Sequence, residues 1–396
     1  MAPEPLEGDG ARDRRARIAV AALFLANGAL FANLLPRYPE IKTDLAMSNA
    51  GYGLAVASFS AGALLAGLTA AMLIRQFQSA RVAVVSTVAL AVFILIAGLA
   101  TSPILFAAAL VVAGACDAIT DVAQNANGLR LQRSYGRSII NSLHAVWAVG
   151  AICGGLMGAA AIALHIPRGV HLGVSGTLFC AVVAIAYPHL LRGPEHADHP
   201  SVHNAGRLEV SAAVYLSLLA LVGIAIAGAA VEDAGSSWAT LYLRDSLGAP
   251  GPVAVMGYVS LVGFMFVGRL IGDRLVDRFG ERAVARAGGL IAAVGMGTAL
   301  AFPTVPGTIA GFGAAGLGVA TVVPAAMRAA DELPGLRAGT GLTALTWLMR
   351  VGFLGAPLIV GVVADATSLR VGLLVVPIAG LALMVLAGAL GARQRR

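Results

Sequence analysis

The chain has 396 residues, of which 58% are hydrophobic and only 12% charged; soluble domains carry about 25% charged residues, so an ordinary soluble domain is excluded. Its mean hydropathy is +0.85 and its formal net charge is +7, from 27 basic and 20 acidic residues. The apolar residues come in long continuous runs rather than in alternation, which excludes the pattern of a membrane β-barrel.

A helical membrane span needs about 20 apolar residues. Taken in chain order, such runs lie at 17–36, 51–74, 80–100, 104–128, 139–163, 170–191, 213–233, 252–272, 283–302, 306–328, 340–364 and 370–391. They predict an all-α membrane protein with twelve transmembrane helices. The abundant glycine (49 residues) suits close helix packing in lipid. The first run follows a basic segment, as a signal peptide would, but its length and the lack of a cleavage site predict an uncleaved first helix. Cys116, Cys153 and Cys180 all fall inside predicted spans, where packing is the expected role.

The arginines set an orientation. Arg12, Arg14, Arg15 and Arg17 precede the first span, and Arg75 and Arg81 follow the second. Arg130, Arg133 and Arg137 follow the fourth, Arg274, Arg278, Arg282 and Arg286 cluster after the eighth, and Arg393, Arg395 and Arg396 close the sequence. The intervening loops hold only Arg37, Lys42, Arg168, Arg244 and Arg370. The positive-inside rule therefore predicts that both termini are cytoplasmic, in a cytoplasmic (inner) membrane. The basic loops would meet anionic lipid headgroups, so the charge calls for no nucleic acid.

The longest polar interruption, residues 192–212, divides a 16-residue tail and a six-helix bundle at 17–191 from a second bundle at 213–391 and a short tail at 392–396. An offset of about 202 positions aligns the halves: "VGAIC" from Val149 meets "VGFLG" from Val351, Ala113-Gly114 meets Ala315-Gly316, and Phe77 meets Phe279. A six-helix unit repeated in parallel is the signature of a two-bundle transporter. The linker histidines His196, His199 and His203 are read as part of a solvated linker, because Pro200 breaks the helical spacing a metal pair would need.

The segment "GRLIGDRLVDRFGER" (268–282) carries the most specific motif. Asp277, Arg278, Gly280 and Arg282 resemble the cytoplasmic loop signature of the major facilitator superfamily, and the resemblance extends over essentially the whole chain. Asp273 stands where that signature has a glycine, and the first-half copy has Arg75 and Gln78 in place of the Asp and Gly. Within the superfamily, "VEDAGSSW", "DVAQN" and "GAPLIVG" resemble a sugar-permease-like bacterial branch. The resemblance implies two pseudo-symmetric six-helix bundles and alternating access. It also implies a small polar solute as partner, a monomer in lipid, and no cofactor beyond an optional proton gradient. In the signature, an acid at a helix end meets the N-terminus of a facing helix, where unpaired N–H groups favour anions. Asp277 is thus a candidate conformational latch, facing the start of the fifth span near Ser138–Asn141.

Span four poses the main question about function. At 100° per residue Asp117, Asp121, Gln124, Asn125 and Gly128 share one arc, and Asn127 lies off it. Charge near mid-membrane costs at least about 2.5–3.5 kcal/mol on insertion scales, so this stripe should face water or partners. Asp117, Asp121 and Asn125 are therefore solute or proton-pathway candidates, with His144 on span five at similar depth. On span seven Glu232 is the candidate proton carrier and Asp233 is expected at the solvated outer rim; the 202 offset sets Glu232 opposite Leu30, inside a helix. Arg350 is the basic residue near the middle of a span, able to meet a carboxylate or an anionic solute group. Asn27, Asn33, Trp147, Trp238 and Trp347 could add hydrogen bonds or a stacking surface. The alternative class is a polytopic enzyme, for instance an acyltransferase with His144 and Asp121 as its acid–base pair, or a non-transporting receptor. The duplicated bundle argues against it.

Overall fold

A computed structural model describes residues 7–135, 139–191, 212–333, 336 and 340–391. Among these it is helical without strands, and twelve stretches are long and apolar enough to cross a membrane. The linker histidines, Arg137, Ser138 and both tails at 1–6 and 392–396 lie outside the described residues.

In chain order the helices are α1 (Glu7–Leu34), α2 (Tyr38–Asp44), α3 (Asn49–Phe77), α4 (Ser79–Gly98), α5 (Pro103–Tyr135), α6 (Ile140–Ala163) and α7 (Arg168–Ala186) in the first half. In the second half they are α8 (Ala212–Leu241), α9 (Gly251–Phe279), α10 (Glu281–Ala301), α11 (Val305–Val319), α12 (Val322–Asp331), α13 (Thr340–Ala366), α14 (Leu369–Gly372) and α15 (Val375–Leu386). Prolines at the first turn (Pro103, Pro252, Pro306) suit helix starts, since their missing N–H would be unpaired there anyway. Thr304 caps α11 by accepting from the N–H of Gly307. Helices α11 and α12 together make one span, interrupted at Ala320–Thr321.

The chain forms two compact units: Met1–Ile41 with Ser58–Ala197, and Lys42–Ala57 with Asp198–Arg396. The division differs from the linker-based boundary in one place: the segment around the start of α3 groups with the second unit. In the first unit α1 packs on α6, α5 and α7, and α4 packs on α5 and α7. Leu23, Phe24, Leu30, Leu34 and Phe106 are fully buried there. In the second, α8 packs on α13, α9, α12 and α15, and α10 on α11 and α15, around Trp238, Tyr242, Leu261 and Phe312. Ile104, Ile185, Leu65 and Val385 are exposed, as a surface facing lipid tails requires.

The repeat is written in the backbone as well as in the sequence. Positive φ recurs from Ala46 (49°) to Gly248 (67°), and from Gln78 (71°) to Gly280 (84°), 202 positions on in each case. Gln78 and Gly280 precede α4 and α10 with ψ of 145° and 154°, a region comfortable only for glycine. The first-half copy of the loop signature therefore keeps its turn although it has lost its glycine.

Candidate functional site

Three helices of the first unit bring the span-four stripe to its partners. Glycines set the spacing of α1 and α6: a Cβ at Gly28 would overlap the Trp147 carbonyl, and one at Gly150 the Leu25 carbonyl. With the two backbones this close, the Trp147 side chain reaches Asn27. Trp147 Nε1–H donates to Asn27 Oδ1 at 2.9 Å. Asn27 Nδ2 donates to Asp117 Oδ1 at 2.7 Å, and Gln124 Nε2 donates to Asn27 Oδ1 and to Asp121 Oδ1, both at 3.3 Å. Asn125 Nδ2 completes the set, donating to Asp121 Oδ1 at 3.0 Å and to the Asp121 carbonyl at 2.9 Å.

The indole N–H can only donate, which fixes the sense of the whole chain of bonds. Asn27 must turn its oxygen to Trp147, so its nitrogen faces Asp117. Gln124 must then turn its nitrogen to Asn27 and Asp121. Asn27 and Gln124 are buried, Asp117 and Trp147 half-buried, and Asp121 exposed. The network thus has a dry floor and an accessible rim. Four residues of the predicted arc are joined here. Gly128 is not; it packs against Ile140, Leu143 and Val20. Asn127, off the arc, donates to Ser79 and to the Leu191 carbonyl as a packing residue.

His144 does not join the network. Its Nδ1 pairs with the Ile140 carbonyl of its own helix at 3.1 Å, and its ring meets Phe24 edge-on at 5.2 Å. A similar depth on consecutive helices does not give a similar azimuth, so the expected contact with Asp121 is absent among the described residues. Asn33 belongs elsewhere too. It donates to the Ala29 carbonyl, and its Oδ1 lies 2.9 Å from His171 Nε2. His171 Nδ1 accepts from Arg37 Nε at 3.3 Å, and Arg37 also reaches Glu40 and the Ile166 carbonyl. This knot, with Arg168 3.5 Å from Glu40, buries an arginine that sequence reading placed in a loop.

In the second unit, Glu232 and Asp233 are both half-buried on α8. Asp233 is not the solvated rim acid expected: Ser237 Oγ lies 3.4 Å from its Oδ1, and its Oδ2 is shielded from solvent without a partner among the described residues. Trp238 is fully buried, its Nε1 without a partner among the described residues, and its ring meets that of Tyr52 in a T-shaped contact at 4.8 Å, whereas Trp347 is exposed. Arg350 is half-buried on α13.

The loop signature divides its labour. Gly280 makes the positive-φ turn, and Arg278 lies over the Phe279 ring at 5.3 Å. Arg282 Nε and Nη2 donate to the carbonyls of Leu390 and Gly388, capping the last helix. Asp277 is exposed and makes no hydrogen bond or ion pair among the described residues. An acid on a helix N-terminus does occur, at a place the sequence did not suggest. Asp365, near the end of α13, accepts from the N–H groups of Asn49 (2.9 Å) and Ala50 (2.7 Å) at the start of α3. Tyr52, one turn on, donates to the Ser237 carbonyl at 2.6 Å.

A family model described as Major Facilitator Superfamily matches residues 20–276. The chain belongs to this superfamily. It is 31% identical over 370 residues to an uncharacterized transporter, y4wD, of Sinorhizobium fredii (strain NBRC 101917 / NGR234), covering 93% of this chain and 96% of that one. It is 29% identical to the membrane protein MosC of Rhizobium meliloti, covering 90% and 85%. Among solved structures, the nucleoside transporter NupG superposes with a TM-score of 0.71 at 12% identity, over 94% of this chain and 98% of that one. A D-xylose-proton symporter superposes with a TM-score of 0.68 at 15% identity, over 94% and 96%. This superfamily chain is therefore a multi-pass membrane transporter of the secondary class and not an enzyme.

Proposed function

We propose that the protein moves a small polar solute across the cytoplasmic membrane by alternating access, and that the α1/α5/α6 network is the solute-contacting wall of its first unit. The observation that carries this is Asp117: a half-buried carboxylate inside a span, with one side-chain donor, Asn27, among the described residues. Such a group is expensive in lipid and is kept where it has work to do. Polar solutes in the names of the structural neighbours, nucleosides and D-xylose, support the same class.

Under this proposal both termini are cytoplasmic and the working unit is a monomer. The coupling proton is carried on α8, at Glu232 with Asp233 beside it, and Arg350 faces the solute from α13. Asp277 acts as a latch in a conformation other than this one. The test is uptake from a defined mixture. Purified protein in liposomes is incubated with equal concentrations of sugars, polyols, amino sugars, diamines, nucleosides and carboxylates. Vesicle contents are then compared by mass spectrometry with those of protein-free vesicles. Saturable enrichment of at least one solute is expected; equal contents throughout would refute transport of this class.

A further inference from the structure

Helices α9, α10 and α11 of the second unit leave a groove between them. Helices α9 and α10 each pack closely along α11 and far less on each other. Glycines set those approaches: a Cβ at Gly288 would overlap the Gly318 carbonyl, and one at Gly268 the Ala320 side chain. Both outer helices therefore sit down on α11, and the gap between them stays open. Its volume is about 410 Å³, within the range of small-ligand pockets. Ile271, Leu275 and Phe279 form its α9 wall, and Ala283, Ala287 and Ile291 face them from α10. All six are exposed. Among the described residues lining the groove, the single polar side chain is that of Thr321.

The groove begins at the Gly280 turn and runs up α9 from Phe279 to Gly268, a rise of eleven residues. At about 1.5 Å per residue that is about 16 Å, and half of a hydrocarbon core about 30 Å thick is about 15 Å. It is an apolar slot one leaflet deep, open along two membrane-spanning helices, and a hydrocarbon chain fits it. Charge at the rim selects the headgroup. Arg274 and Arg278 follow Ile271 and Leu275 by three residues each, so they edge the α9 wall. Both are exposed, and Arg278 lies over the ring of Phe279 at the mouth. Asp273 and Asp277 fall about 120° or more round the helix from that wall, and Glu281 is held by Arg328 at 2.9 Å. The rim is therefore cationic. We infer that the groove binds one acyl chain of an anionic phospholipid, with its phosphate at Arg274 and Arg278. The inference does not depend on which solute is carried.

Tail and headgroup are recognised by different parts of the site. The slot takes the chain by burying its methylenes, which distinguishes no headgroup. The rim makes the distinction, because each guanidinium presents a planar fork of N–H donors that matches phosphate oxygens. The arginine stems can lie along the apolar wall while their heads reach the interface. A phosphatidylcholine with the same tails fills the slot but brings a cation to a cationic rim, so it binds more weakly. A headgroup without tails meets only exposed arginines in water and is not retained.

The test counts bound lipid by native mass spectrometry. Delipidated full-length protein in detergent is titrated with dioleoylphosphatidylglycerol, with dioleoylphosphatidylcholine and with glycerol 1-phosphate. One phosphatidylglycerol per chain should bind first, at a concentration at least about tenfold below that needed for phosphatidylcholine, and glycerol 1-phosphate should not bind. Arg274→Gln and Arg278→Gln should each weaken phosphatidylglycerol about fivefold, the worth of one basic residue at an anionic headgroup, and leave phosphatidylcholine unchanged. Ala287→Phe puts a ring into the groove from an exposed position and should remove the first phosphatidylglycerol. Val294→Phe, exposed on the same helix outside the groove, should not. Equal binding of the two lipids, binding of glycerol 1-phosphate alone, or the first phosphatidylglycerol retained in Ala287→Phe would overturn the inference. So would a dimer mass in place of the lipid adduct, which would give the groove to a second copy of the chain. Should Ala287→Phe fail to fold, the arginine variants decide, and affinity for phosphatidylglycerol unchanged in both would equally overturn it.

Discussion

Helix α1 and helix α8 are repeat partners 202 positions apart, and their chemistry has diverged. Asn27 and Asn33 on α1 correspond to Ala229 and Gly235 on α8, and Glu232 on α8 corresponds to Leu30 on α1. Around α1 every amide nitrogen of the network is matched to an acceptor. Around α8, Asp233 Oδ2, Trp238 Nε1, Thr240 Oγ1 and, just beyond its end, the Tyr242 hydroxyl are buried without partners among the described residues. The duplication preserved turns and packing, down to the positive φ of Gln78 and Gly280. It did not preserve the polar side chains, which differ between the two halves.

The comparison makes graded predictions. The largest effect is expected at Asn27, the hub. Asn27→Leu strips Trp147 and Asp117 of the partner they share, while Gln124 keeps its bond to Asp121; at about 1–3 kcal/mol for each of the two unsatisfied groups the loss should be about 2–6 kcal/mol. Thermal unfolding in detergent measures it; an unchanged midpoint would mean the network is not formed. Next comes Tyr52→Phe, which deletes the donor to the Ser237 carbonyl and should cost about 0.5–1.5 kcal/mol.

Asp365→Asn removes a charge from the exposed start of α3, worth about 0.3–1 kcal/mol at low ionic strength and less in salt. Faster amide exchange at Asn49 and Ala50 would register it, and exchange unaltered at low salt would deny Asp365 that role. The smallest effects belong to α8 and its end. Thr240→Val and Tyr242→Phe remove polar atoms without a hydrogen-bond partner among the described residues, so stability should change by no more than about 0.5 kcal/mol, toward stabilisation. A clear loss in either would reveal a partner for that hydroxyl and erase the contrast with α1.

Much of this was legible in the sequence, for physical reasons that also mark the limits. The spans follow from apolar length, and the span-four arc from helical periodicity, which correctly grouped Asp117, Asp121, Gln124 and Asn125. What periodicity cannot give is the facing helix. Asn27 and Trp147 were visible only as isolated polar residues, because their meeting depends on the contacts at Gly28 and Gly150. His144 was placed by depth, yet depth does not decide direction, and its ring turned to Phe24. Asp365 looked like any acid at a helix end; its partners are more than 300 positions away in sequence. The sequence signal at Asp277 pointed to the start of the fifth span; Asp277 is exposed in this structure, and the acid seen on a helix N-terminus is Asp365, at the start of α3.

The central claim is that the α1/α5/α6 network handles the transported solute. Its most direct test is uptake by liposomes holding equal amounts of parent protein or Asp117→Asn, using the solute that the parent enriches most from the mixture. The account expects saturable uptake by the parent and a loss of at least about tenfold in the variant, with both proteins eluting as the same folded species. Equal uptake by the two would contradict it.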